Sequence, residues 1–71
     1  MTAVEEPDTE FPHRIGKVAR RVLALNGYTR YEQLTATTAK ELLKIHGMGK
    51  KGIAILREEL AQRGLAFADE S

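Results

Sequence analysis

Between positions 45 and 52 the chain reads Ile45-His46-Gly47-Met48-Gly49-Lys50-Lys51-Gly52, and these residue types at this spacing suit the holding of an anion. Gly47 and Gly49 permit φ > 0 and leave no Cβ in the path of an approaching group. Lys50 and Lys51 then open a segment with helical periodicity. The first N–H groups of such a segment have no intrahelical partner, and they carry the positive end of the helix dipole. A phosphate oxygen fits that place, and two ammonium groups add charge beside it. A tight turn between helices also calls for glycine, and a surface lysine commonly has no role. The two glycines followed at once by two lysines favour phosphate. Gly52, in the first turn of the next helix, disfavours the helix by up to ~1 kcal/mol relative to alanine. Either a neighbouring helix or a bound backbone comes close there. Lys17, Arg20 and Arg21 form a second basic group, expected as a ridge that flanks the turn. His46 reads as a partly exposed turn residue, with a phosphate contact open to its protonated form.

Other chemistry finds little to work with. The chain has no cysteine and two histidines, so neither a disulfide nor a zinc site is expected, and no cofactor is called for. Its sole serine is the terminal Ser71, and neither histidine has a carboxylate neighbour in sequence. Catalysis requires an acid, base or nucleophile positioned in a pocket, so the chain is not expected to be an enzyme. Tyr28 and Tyr31 read as core or half-buried residues, since stacking on bases would need them exposed in a groove. Arg57 and Arg63 are expected to pair with surface acids.

The 71 residues allow one small domain, whose apolar core rarely supplies more than ~5 kcal/mol. The net charge of +1 conceals a segregation. All eleven Lys and Arg lie between Arg14 and Arg63, where the acids are Glu32, Glu41, Glu58 and Glu59; eleven less four leaves +7. The other acids fall in residues 1–10 and 68–71. A basic centre suits a polyanionic partner, although a solvated charged face gives the same pattern. No stretch approaches the ~20 apolar residues of a membrane span. With no signal-peptide pattern at the start, a cytoplasmic location is the expectation.

The elements that would position the turn follow from apolar spacing and caps. Residues 1–10 are acidic and aperiodic and read as a disordered arm. A first helix from Gly16 would bury Val18, Ala19, Val22 and Leu23 and stop at Asn26-Gly27. Thr29 to Glu32 and Thr38 to Glu41 have capping-box form. The first would start a short helix that buries Tyr31 and Leu34, the second one carrying Leu42, Leu43 and Ile45. The last helix runs from about Lys50 to Arg63 on Ile53, Leu56 and Leu60 and stops at Gly64. Leu65 and Phe67 fold back, and residues 68–71 fray. The domain is thus 11–67, an all-α bundle. Leu25 and Ile55 are not clearly buried by these stripes, and exposed together they would mark a protein contact.

A short internal repeat adds to this. Ile15-Gly16-Lys17 with Leu23 parallels Met48-Gly49-Lys50 with Leu56, at an offset of 33 from Gly16 to Gly49. It suggests two related helix–turn units packed as a pseudo-symmetric pair. Arg14 stands where the second unit has Gly47, so the first unit should hold phosphate less well.

Residues 41–65 resemble the C-terminal domain of the bacterial RNA polymerase alpha subunit. The shared frame is Glu41-Leu42-Leu43-Lys44, Gly49-Lys50-Lys51 and Arg63-Gly64-Leu65, with Leu34 and Thr38 in register, so that the likeness covers most of 15–67. The Gly-Met-Gly core is also similar to the helix-hairpin-helix modules of DNA-repair and recombination proteins. The resemblance implies a SAM-like, helix-hairpin-helix bundle of four to five short helices. It implies duplex DNA as partner, met from the minor-groove side through Gly49, Lys51 and Gly52. A protein partner in transcription is the alternative it suggests. The chain departs from the family at Gly47, where the family has asparagine, at Val18, where it has its DNA-reading arginine, and at Ile55, where it has glutamate. A preference for A·T-rich DNA is therefore not carried over. With the basic ridge, the candidate DNA-binding set is Gly47, Gly49, Lys50, Lys51, Gly52, Lys17, Arg20 and Arg21.

Overall fold

A computed structural model describes residues 9–70. Among them the chain forms a 3-10 turn at His13–Ile15 and four α-helices: α1 (Lys17–Leu25), α2 (Tyr31–Leu34), α3 (Ala39–Leu43) and α4 (Lys50–Gln62), with no strand. This is the all-α class expected. No helix among the described residues is long and apolar enough to cross a membrane.

The two longer helices end alike. After α1, Gly27 takes φ +88° and Tyr28 N–H donates to the Leu23 carbonyl at 2.8 Å, while Gly27 N–H reaches Ala24 at 3.0 Å. After α4, Gly64 takes φ +73°, Leu65 N–H donates to Leu60 at 2.8 Å and Gly64 N–H to Ala61 at 3.1 Å. Both are Schellman closures, which need a left-handed residue that glycine supplies without a Cβ clash. Asn26-Gly27 and Gly64 thus stop the helices where the sequence placed them.

The short helices are held at their starts. Thr38 Oγ1 accepts from Glu41 N–H at 3.1 Å, the cap expected for α3. At α2 the cap lies one residue later than Thr29. Arg30 is the N-cap, and Gln33 Oε1 accepts from both Thr29 N–H (2.7 Å) and Arg30 N–H (2.8 Å). Glu10 Oε1 takes a further donor, Tyr31 N–H, at 3.0 Å. A carboxylate at this end of a helix is favoured by the dipole as well.

The 3-10 turn packs on both α1 and α4, and α3 packs on α4; in the core Leu23, Leu34, Leu42, Leu56, Leu60 and Phe67 are sealed from solvent. Phe11 meets Tyr31 edge-on, with ring centroids 5.1 Å apart. Phe67 folds back as expected, tied by Ala68 N–H to the Thr37 carbonyl at 2.8 Å. Leu43, by contrast, is exposed.

The ends are better anchored than composition suggested. Residues 1–8 of the expected arm and Ser71 of the tail lie outside the described residues. Thr9 and Glu10 do not belong to a free arm: Glu10 N–H and Thr9 Oγ1 both donate to the Thr29 carbonyl. Residues 68–70 do not fray either. Arg57 holds the Glu70 carboxylate with Nη2–Oε2 at 2.7 Å and lies over the Phe67 ring. Acidic residues read as solvated by their composition act instead as a helix cap and an arginine partner.

Candidate nucleic-acid interface

The turn between α3 and α4 is fixed by its central residue. Met48 is only 8% exposed and packs into the core, while Gly47, Gly49, Lys50 and Lys51 on either side are exposed. A buried anchor between two open glycines leaves the backbone of the bend facing solvent. The two glycines differ in what they do. Gly47 has φ +101°, and a Cβ there would stand 3.0 Å from methyl groups of both Val18 and Val22. The fold itself therefore requires Gly47. Gly49 has φ −122°, ordinary extended backbone, and a Cβ would meet nothing within 4 Å. The expectation that both glycines serve φ > 0 is corrected at Gly49: nothing inside the protein demands glycine there.

Gly49 is the N-cap of α4, and no side chain caps that helix. Its first bond in the ladder is Ile53 N–H to the Gly49 carbonyl at 3.1 Å. The start of α1 matches: Gly16 is the N-cap, no side chain caps it, and Arg20 N–H closes the first turn at 3.1 Å. Lys17 and Lys50 are the first helical residues. The chain's own oxygens thus close the starts of α2 and α3, while no described side chain caps the two Gly-Lys starts. These two starts are neighbours. Gly47 lies against Val18 and Val22 of α1, and a Cβ on Gly52 would stand 3.7 Å from the Ile15 carbonyl oxygen.

Gly52 is buried in this junction, with Met48 Cε 3.6 Å from its Cβ position. Helix packing, rather than an approaching ligand, occupies the space in front of it. Gly52 is corrected from a contact residue to a packing residue. Arg20 is corrected in the same way. It is 7% exposed, its Nε donates to the Phe11 carbonyl at 3.2 Å, and its Nη1 lies 3.3 Å from His13 Nδ1. The guanidinium secures the segment leading into α1 and takes no part in the exposed ridge. Lys17 and Arg21 remain on that ridge.

The charges sort by face. Arg14 reaches Glu58 (3.4 Å) and Glu59 (2.9 Å), Arg63 reaches Glu59 (2.8 Å), Arg57 reaches Glu70 (2.7 Å) and Lys44 reaches Glu41 (3.2 Å). The pairing expected for Arg57 and Arg63 is present. Hydrogen bonds from Arg14 and Arg63 hold the Glu59 carboxyl below its ordinary range, and one from Arg57 does the same for Glu70. Lys17, Arg21, Lys50 and Lys51 have no described carboxylate within ion-pair distance, and the same holds for Arg30 and Lys40 elsewhere. Arg57 in α4 and Arg63 just after it are paired with acids of the chain, and the cations at the two helix starts are paired with no described acid.

Tyr31 is not placed to stack on a base. Its ring is buried against Phe11, the Arg63 guanidinium lies 4.1 Å from its centroid, and burial pushes its hydroxyl pKa up. His46 is exposed beside the bend. A cleft of about 380 Å³, lined by Thr9, Glu10, Thr29 and Arg30, includes no residue of the bend. Among the described residues no group of three His, Cys, Asp or Glu could hold a metal ion.

Sequence reasoning missed Val18, expected in the core and found 58% exposed beside Gly47. The repeat held the missing signal. Residues 15–23 and 48–56 share one burial class at every position except Gly16 and Gly49. Val18 falls on exposed Lys51 and Arg20 on buried Ile53. No protein family, curated protein or solved structure matches this chain.

Proposed function

We propose that the chain is a small helix-hairpin-helix module that binds the phosphate backbone of duplex DNA, largely without regard to sequence. The observation that carries this reading is the pair of neighbouring helix starts, each Gly-Lys and with no described side chain as cap, with cations around them that have no described carboxylate within ion-pair distance. Amides at the start of α4 would donate to one phosphate, with Lys50 and Lys51 beside it. Lys17 and Arg21 would reach a neighbouring one. The resemblance to the alpha-subunit domain supports an approach from the minor-groove side. Phosphate contacts position a protein without reading bases, and Val18 at the bend brings no hydrogen-bonding group to a base edge. So few contacts imply micromolar-class affinity that falls as salt rises.

Gly49→Asn tests the reading. Asparagine is a preferred N-cap whose side-chain oxygen takes up the free amides, and its Cβ has open space. It leaves net charge unchanged. The variant should unfold at the same temperature or slightly higher and bind a short duplex at least several-fold more weakly. Undiminished binding would remove the α4 start from the site.

A second role, in protein contact, is favoured by the exposure of Val18 and Leu25. The resemblance suggests the transcription machinery as the class of partner. Ile55 does not join this surface, since it is half-buried against the core.

A further inference from the structure

Helix α1 carries an apolar stripe that the core reaches only at its middle residue, Val22, which also packs beside Gly47. Val18, Val22 and Leu25 stand at i, i+4 and i+7 and so share one face. Val18 is 58% exposed, Leu25 is 78% exposed and Val22 is half-buried. Lys17 and Arg21, again at i and i+4, form a parallel row one residue ahead. Both are exposed and have no described carboxylate within ion-pair distance. The opposite side of the helix, with Ala19, Arg20 and Leu23, is buried. The outward face of α1 is thus an apolar row about two turns long with a basic row along one edge.

We propose that this face docks an acidic amphipathic helix of a protein partner, whose apolar side chains cover Val18, Val22 and Leu25 and whose carboxylates pair with Lys17 and Arg21. The charge pattern selects the occupant. A second copy of this chain offers no carboxylate on the matching face, since residues 17–25 hold no acid, so Lys17 and Arg21 would gain no partner in a symmetric contact. DNA offers the apolar row nothing in return. A helix with leucine-type residues at i, i+3/i+4 and i+7 and glutamates beside them complements both rows. The inference does not depend on the DNA reading, but the two share Lys17 and Arg21, so peptide and DNA would compete.

The test is an NMR titration of the whole chain with a synthetic amphipathic peptide of about 14 residues, roughly four turns, bearing leucines on one face and glutamates on its flanks. A second peptide replaces each glutamate by lysine. Amide shifts should concentrate at Lys17, Val18, Arg21, Val22 and Leu25. Binding should weaken at least tenfold for the lysine peptide and for the double variant Val18→Ser, Leu25→Ser. Both substituted residues are exposed, and retained helicity together with a cooperative thermal unfolding transition shows that this variant is folded. Lys50→Ala with Lys51→Ala should weaken DNA and leave the peptide unaffected, which separates the two readings. The proposal is overturned by equal binding of the lysine peptide, by absence of shifts, by shifts confined to residues 47–52, or by concentration-dependent shifts of α1 without peptide, which would assign the face to self-association.

Discussion

Removing the two lysines at the start of α4 should halve the salt dependence of DNA binding. Lys17, Arg21, Lys50 and Lys51 are the exposed cations around the bend that have no described carboxylate within ion-pair distance. If each neutralises one phosphate, log K falls against log salt with a slope of about −3.6, taking roughly 0.9 per contact on B-form DNA. That slope means a loss of affinity of roughly 150-fold between 50 and 200 mM salt. Lys50→Ala with Lys51→Ala leaves two contacts and a slope of about −1.8, or roughly 12-fold over the same range. Both side chains are exposed, and alanine is a better helix former than lysine, so the fold should be unharmed. The assay is fluorescence anisotropy of a labelled duplex at several salt concentrations, with circular dichroism to confirm helicity. A slope that does not change on removing both lysines would refute the reasoning, because the cations taken as free would then be contacting no phosphate.

Two further outcomes follow from the packing and the ion pairs. Gly52→Ala should raise stability by about 0.5–1 kcal/mol, since the added Cβ meets only ordinary contacts at 3.6 and 3.7 Å, and thermal unfolding measures it; a loss of stability would mean that the junction with Ile15 is tighter than described. Stability should also depend on pH on the acid side. The Glu59 and Glu70 carboxyls are held below their ordinary 4.5 by arginine hydrogen bonds, so their contribution is complete above that value and is lost as pH falls through the depressed one. Denaturation at a series of pH values should show this decline, and a double variant Glu59→Gln, Glu70→Gln should flatten it.

Much of the fold was legible because its punctuation is local. Gly27 and Gly64 mark helix ends through a backbone conformation that few other residues accept, and Thr38 marks a helix start through one hydroxyl. Phe67 could be placed in the core from hydrophobicity alone. What failed was long-range. Glu10 and Glu70 read as tail acids, and only tertiary contact shows one capping α2 and the other holding Arg57. Arg20 looked like its neighbour Arg21, because sequence does not reveal that the Phe11 carbonyl waits beneath it. Gly52 was open to two readings, and the position of Ile15 decides between them. The stripe on α1 was misplaced by one position of helical phase, which brought Val18 into the expected core. Aligning the two halves would have corrected both Val18 and Arg20, since their counterparts Lys51 and Ile53 are plainly outside and inside.

The most direct measurement is an amide-resolved NMR titration of the whole chain with a short duplex at low salt. Shifts should concentrate at Gly47 to Lys51 and at Lys17 and Arg21, diminish as salt is added, and spare the paired Arg57 and Arg63. An unperturbed spectrum, or shifts gathered on the second half of α4, would contradict the DNA reading.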